Sequence, residues 1–266
     1  MSQSFFIRAS DATHQPRRGV HQHQHYEILI IQSGTGQHSV DYETYDVCAN
    51  QVYFMRPGQV HEFSPDHGAQ FYFIAFDKDE IMLNAPTLLH SFRFFQSFHC
   101  NAPVVVDEVA SLIEQMVNIQ QELANPAPLQ QPLISGLLTV LLIKMQRKFR
   151  QFNHQHVSED NPLVTQFNRL IDSQDVTFRF VKDYANELHV STTYLNDTIK
   201  KVTGQPASFW VHKKQVLNAK QLLNDKALNF KTIASQLGFS DATHFARFFK
   251  SHTQQTPSMY RAGLGK

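Results

Sequence analysis

The sequence predicts a two-domain α+β chain: an N-terminal β-barrel of jelly-roll type carrying a helical hairpin, then an all-α domain holding two helix-turn-helix modules. Three observations predict it. Short strand-like runs punctuated by Gly and Pro fill residues 20–76. Apolar residues recur at helical spacing from Asp107 onward. One stretch near the C-terminus is written twice. The expected division is 1–100 for the barrel, 101–160 for a helical pair and linker, and 161–266 for the tandem modules.

In the first part the expected strands are Tyr26 to Ile31, Gln37 to Tyr42, Gln51 to Met55 and Gln70 to Phe76. The Ser33-Gly34-Thr35-Gly36 and Pro57-Gly58 turns separate them. Within this pattern His21-x-His23-x-x-x-Glu27, followed by Gly34, and Pro57-Gly58-x-x-His61 resemble the two motifs of the cupin superfamily. In metal-binding cupins the matching positions are ligands, so the resemblance implies a cluster of His21, His23, Glu27 and His61 at the barrel mouth. Two uses compete for it. Three imidazoles and a carboxylate suit a divalent iron, manganese, nickel or zinc ion with open positions. The same residues also suit the wall of a pocket for a small-molecule effector. Departures favour the pocket, because Gln15 stands where the first motif has a leading glycine and Asn50 fills the glycine slot of the second. No metal and no cofactor is therefore expected. His25 and His67 are expected on the surface, and the Phe92-x-Phe94-Phe95-x-x-Phe98 group in the core.

Asp107 to Ala124 sets Val109, Leu112, Ile113, Met116, Ile119 and Leu123 at helical period, and Pro126 and Pro128 end the run. A second helix is expected from about Leu129 to Phe152, with Leu133, Leu137, Val140, Leu141, Lys144 and Met145 on adjoining turns. This is more apolar surface than one small barrel covers from one side. It predicts either a helix pair packed on the barrel or a homodimer seam. Gln151 to Asn161 is polar and aperiodic, as an interdomain linker would be.

The duplicated stretch pairs Ala185-x-x-Leu188-His189-Val190-Ser191 with Ala234-x-x-Leu237-Gly238-Phe239-Ser240 at an offset of 49 residues. One inserted residue then aligns Leu195 with Phe245, Ile199 with Phe249 and Lys200 with Lys250. Each copy reads as a small residue in a first helix, a tight corner needing positive φ, a cap, and a second helix. Pro206 to Leu223 is expected to join them as one helix with Phe209, Val216, Ala219 and Leu223 on a single face.

Taken with Thr203-Gly204, Phe245-x-Arg247-x-Phe249-Lys250 and Thr256-Pro257-x-x-Tyr260-Arg261, these motifs resemble the AraC/XylS family of bacterial transcription regulators over about the last 105 residues. Gln254 and Gln215 depart from its usual Gly and Arg. The resemblance implies a sequence-specific regulator of transcription that binds double-stranded DNA, answers to a small-molecule effector and works with RNA polymerase in the bacterial cytoplasm, nucleoid-associated when bound. Thr192, Thr193 and Asn196 would enter one major groove, and Ala242, Thr243, Ala246 and Arg247 the next, about one helical turn or ~34 Å away. Ser191 and Asp241 would cap the two reading helices, and Lys200, Lys201 and Lys250 would touch phosphates. An enzyme is not expected. The rival is a metal-dependent cupin enzyme of dioxygenase or isomerase type fused to a DNA-binding tail.

Charge agrees without the family name. Residues 161–266 hold 14 Lys and Arg against 7 Asp and Glu; with 24 and 23 in the whole chain, the first 160 residues hold 10 against 16. A basic second half suits phosphates and an acidic first half does not. Two cysteines without CxxC spacing, Cys48 and Cys100, predict buried thiols in place of a disulfide framework or zinc site. The N-terminus lacks a signal-peptide pattern, and the Leu133 to Ile143 run is far short of the ~20 apolar residues that span a bilayer. No membrane partner is expected.

Overall fold

The computed structural model describes residues 5–9, 19–41, 43–79, 92–95, 101–152, 161–172 and 179–263. Gln15, Tyr42, Phe98, Cys100 and residues 153–160 of the expected linker lie outside them. The chain divides into two compact units, Met1–Gln155 and His156–Lys266.

The first unit holds strands β1 (Phe6–Ala9), β2 (Tyr26–Ser33), β3 (Gly36–Val40), β4 (Glu43–Val47), β5 (Gln51–Met55), β6 (His61–Pro65), β7 (Gln70–Phe76) and β8 (Val104–Val105). They form two antiparallel sheets, ordered β1-β7-β2-β5-β8 and β4-β3-β6. Helices α1 (Ala110–Ala124) and α2 (Gln130–Phe152) follow.

Strand β2 shows why the order is helix pair, large sheet, small sheet. Its side chains alternate: Leu29 and Ile31 pack with Tyr53, Met55, Phe63 and Phe71 between the sheets, whereas Ile28 and Ile30 join Leu112, Met116, Leu138 and Leu141 of the helices. A strand buried on both faces reads as an unbroken apolar run, here Ile28 to Ile31. Phe92, Phe94 and Phe95 fill the same helix-side core, with Phe94 stacked on Phe54 at 4.1 Å between ring centroids.

Four expectations need correction. Helix α2 buries Ile134, Leu138, Leu141, Leu142, Met145 and Phe149, so Leu133 and Val140 lie exposed one step round the helix, with Leu129 at 79% exposure just before it. Cys48 is exposed, because Val47 takes the inward place at the end of β4 and the next residue alternates outward into the turn. His25 points inward. In the helix linking the two modules, Phe209 is exposed and Trp210, Val211, Gln215, Ala219 and Leu223 form the buried side. His67 is exposed, as expected.

The second unit holds α3 (Pro162–Asp172), α4 (Val181–Glu187), α5 (Thr192–Thr203), α6 (Ala207–Asn224), α7 (Phe230–Gln236), α8 (Ala242–Thr253) and α9 (Pro257–Gly263). Helices α4 and α5 make the first module, α7 and α8 the second. Leu195 and Ile199 of α5, and Phe245 and Phe249 of α8, are fully buried at i and i+4. Among the described residues no helix is long and apolar enough to cross a membrane.

Candidate functional site

Two constellations stand out, one in each unit. In the first, the chain bends at Gln24 and His25 before entering β2 at Tyr26, and His21, His23, His25 and Glu27 lie partly buried against one another. His21 pairs with His61 through reciprocal backbone bonds of 3.0 and 2.8 Å, which brings the start of β6 against the cluster. The His21 and His61 rings lie 4.4 Å apart and the His23 and His61 rings 4.7 Å apart. His23 and His25 stack at 3.7 Å with 5° between planes. Glu27 Oε2 lies 3.3 Å from His23 Nε2 and 3.9 Å from His25 Nε2. All four residues named from the sequence therefore come together.

Two further histidines belong to the site. His25 was signalled by its even spacing from His21 and His23. His38 of β3 is fully buried, with its ring 6.1 Å from that of His61 and 4.5 Å from Tyr53. A lone histidine in Gly36-Gln37-His38-Ser39-Val40 gives no local sign of this; only the pairing of β3 with β6 reveals it.

The electrostatics favour the neutral ring at His38, His61 and His25 and the charged carboxylate at Glu27. Burial holds His38 down to about 3 and His61 down to about 4, and it also lowers His25. Burial of Glu27 opposes its charge, but the His23 contact and the fields of His61, His23 and His25 outweigh that, leaving its pKa below the ordinary carboxylate value.

The second constellation is the exposed side of α5 and α8. Ser191 Oγ accepts from the Tyr194 N–H at 3.1 Å, and Asp241 Oδ1 accepts from the His244 N–H at 2.7 Å, so both expected caps form. Thr192, Thr193, Lys200 and Lys201 are exposed on the first module, as are Thr243, Arg247 and Lys250 on the second, with Ala242 and Ala246 half-buried. Asn196 is spent differently. Its Nδ2 donates to Thr192 O at 3.0 Å and its Oδ1 accepts from the Ser208 N–H at 3.0 Å, tying α5 to the first turn of α6. One N–H on Nδ2 and one lone pair on Oδ1 remain beyond these two bonds.

Helix α6 is fixed to both modules. The Trp210 indole N–H donates to Thr203 Oγ1 at 3.0 Å, and at the other end Ala219 and Leu223 share a core with Ile233, Leu237, Phe245 and Phe249. Arg261 closes α9 onto the same joint by donating to Leu223 O at 3.2 Å and stacking over Phe230 at 4.6 Å.

Comparison with known proteins follows the same division. An AraC-like ligand binding domain matches residues 5–142, and a helix-turn-helix domain matches residues 184–263. The HTH-type transcriptional activator RhaR of Mannheimia succiniciproducens is 23% identical over 252 residues, covering 94% of this chain and 89% of RhaR. An uncharacterized HTH-type transcriptional regulator of Bacillus subtilis, YfiF, is 22% identical over 249 residues, covering 91% of this chain and 78% of its own. ToxT from Vibrio cholerae aligns over 98% of each chain at 14% identity with a TM-score of 0.47. A sheet-built ligand-binding unit carried in one chain with paired helix-turn-helix modules defines a ligand-binding transcriptional regulator. The chain belongs to the AraC family of transcriptional regulators.

Proposed function

We propose that this regulator reads an asymmetric duplex site with α5 and α8 in successive major grooves, and that an effector held at the histidine cluster sets its activity. The observation that carries the reading is the two-faced character of both helices. Each buries a pair of apolar residues into its module and leaves the opposite side to Thr, Lys and Arg. Thr192, Thr193, Thr243 and Arg247, with the small Ala242 and Ala246, face bases in this reading, and Lys200, Lys201 and Lys250 face phosphates. Asn196 faces an adenine edge in this reading while its bonds to Thr192 and Ser208 hold α5 to α6.

The protein is taken to act without catalytic turnover in the bacterial cytoplasm, with RNA polymerase as its further partner; the relatives named as transcriptional activators support activation. Leu133 and Val140 of α2, with Leu129 just before it, form an exposed apolar line, which suits a homodimer. A monomer in sedimentation at micromolar concentration, with and without DNA, removes that part of the reading.

Gel-shift titration of the full chain on its promoter fragment and on random duplex, with salt varied, tests the whole. Arg247→Ala is expected to weaken cognate binding by about 1–3 kcal/mol and to relax one base position. Equal weakening on every sequence would reduce Arg247 to a phosphate contact. Absence of salt-sensitive affinity for any duplex would overturn the proposal.

A further inference from the structure

We infer that Asp197 is a specificity residue of the first module, and that it selects a cytosine by accepting a hydrogen bond from its exocyclic amino group in the major groove. The inference rests on the reading in which α5 and α8 enter successive grooves. It adds the base that the first of them demands.

Placement comes first. Leu195 and Ile199 are fully buried and fix the inward direction of α5. Asp197 lies two residues from each, so at 3.6 residues per turn it stands about 160° round the helix from either. It is exposed, in the middle of the outward side. Arg247 holds the same place on α8, midway between the buried Phe245 and Phe249. Whatever part of its groove Arg247 meets in the second module, Asp197 meets in the first.

The carboxylate is also uncommitted. Every other described aspartate of this unit is engaged locally: Asp172 accepts from Asn168 Nδ2 at 3.2 Å, Asp183 from the Phe180 N–H at 2.7 Å, Asp225 from the Ala227 N–H at 2.8 Å, and Asp241 from the His244 N–H at 2.7 Å. Asp197 has no hydrogen bond or salt bridge among the described residues. Lys200 and Lys201 follow at i+3 and i+4, the spacing at which helical ion pairs form, yet neither takes it. Both lysines are exposed and offset the repulsion between this carboxylate and the phosphates. An acidic group at the centre of a reading face weakens attraction to every duplex alike. What it supplies is discrimination.

The chemistry of the groove then selects the base. An ionised carboxylate only accepts hydrogen bonds. Guanine presents two acceptors, N7 and O6, and thymine presents O4 beside its methyl group, so both repel it. Adenine offers the N6 donor with the acceptor N7 next to it, whereas cytosine offers N4 with no acceptor of its own alongside. Arg247, of opposite charge at the equivalent position, suits the paired acceptors of guanine. The two modules therefore demand complementary bases, a cytosine in one groove and a guanine about one helical turn, ~10 base pairs, away.

The test is selection of bound duplexes from a randomised library by the full-length chain, repeated with Asp197→Ala, Asp197→Asn and Arg247→Ala. Titration of the selected duplex and its single-base variants follows. Wild type is expected to enrich a cytosine at one position, and replacing that base pair should weaken binding about 5-fold or more, the low end for one well-made base contact. Asp197→Ala should level the preference there, leave the guanine of Arg247 in place and raise affinity for random duplex. Asp197→Asn keeps the shape and should move the preference to adenine. Thermal melts report whether each variant is folded, and should the alanine variant not fold, the isosteric one decides. A motif unchanged by both Asp197 substitutions, or one in which the affected position holds guanine or thymine, overturns this inference and leaves the groove reading standing. An equal change on every duplex also overturns it, by reducing Asp197 to a charge effect. Absence of any enriched motif overturns the groove reading itself, and this inference with it.

Discussion

The two helix-turn-helix modules have the same geometry but place their glycines at opposite ends. In the first, the corner residue is His189 at φ 54°, and the reading helix ends on Gly204 at φ 77°. In the second, the corner is Gly238 at φ 78°, and the helix ends on Gln254 at φ 62°. Both ends of both modules therefore need the left-handed region, and each module meets one of the two needs with a strained side chain. Geometry is what the repeat keeps; the residue supplying it is free to vary. Charge varies too: the position holding Arg247 in the second module holds Asp197 in the first. In the proposed reading Arg247 therefore gives the second module a charged base contact, where the first has Asp197 beside the phosphate-facing Lys200 and Lys201.

The largest break in the comparison lies in the cores. Phe249→Ala is expected to cost ~3–5 kcal/mol and Ile199→Ala ~2–5 kcal/mol in urea unfolding of the full chain, because the second module is built on larger side chains. Equal losses would show that the second core collapses around the gap.

The corners come next. A Cβ on Gly238 would meet the Arg179 side chain as well as the positive φ, so Gly238→Ala should cost about 1–2 kcal/mol. The reverse substitutions sharpen the point. His189→Gly and Gln254→Gly should each stabilise by about 0.5–1 kcal/mol, since relief of αL strain exceeds the added chain entropy of glycine. A loss of stability from both would show that the two side chains earn their place through contacts.

The caps are the finest test. Ser191→Ala should cost ~1 kcal/mol at any pH. The bond from the His244 N–H holds the Asp241 carboxyl below its ordinary value of 3.8. Its stabilisation is therefore present above that value and lost as pH falls through the lower, folded one. The stability difference between wild type and Asp241→Ser should shrink on acidification, while that for Ser191→Ala stays level. A pH-independent difference at Asp241 would mean that charge is irrelevant to the cap.

Local pattern made the second unit legible almost throughout. Caps, corners and the i, i+4 pairs are short-range features, and His189 and Asn50 both take the positive φ that their positions imply. The first unit was legible in its central strands and opaque at its edges. Strand β4 exposes Glu43, Thr44 and Asp46, and β6 begins on polar residues, so neither carries an apolar run to betray it. The site divides in the same way. His21, His23, Glu27 and His61 could be named from motifs, and His25 from parity, but His38 enters through cross-strand pairing that no linear pattern encodes.

Trp210 is the sole tryptophan of the 266 residues, nearly buried, with its indole hydrogen-bonded to the end of the first reading helix. Nature has thus installed a single optical probe at the hinge between that helix and the connecting rod. Selective excitation will report only on this joint, so an effector titration that shifts its emission would register communication from the ligand-binding unit without any added label.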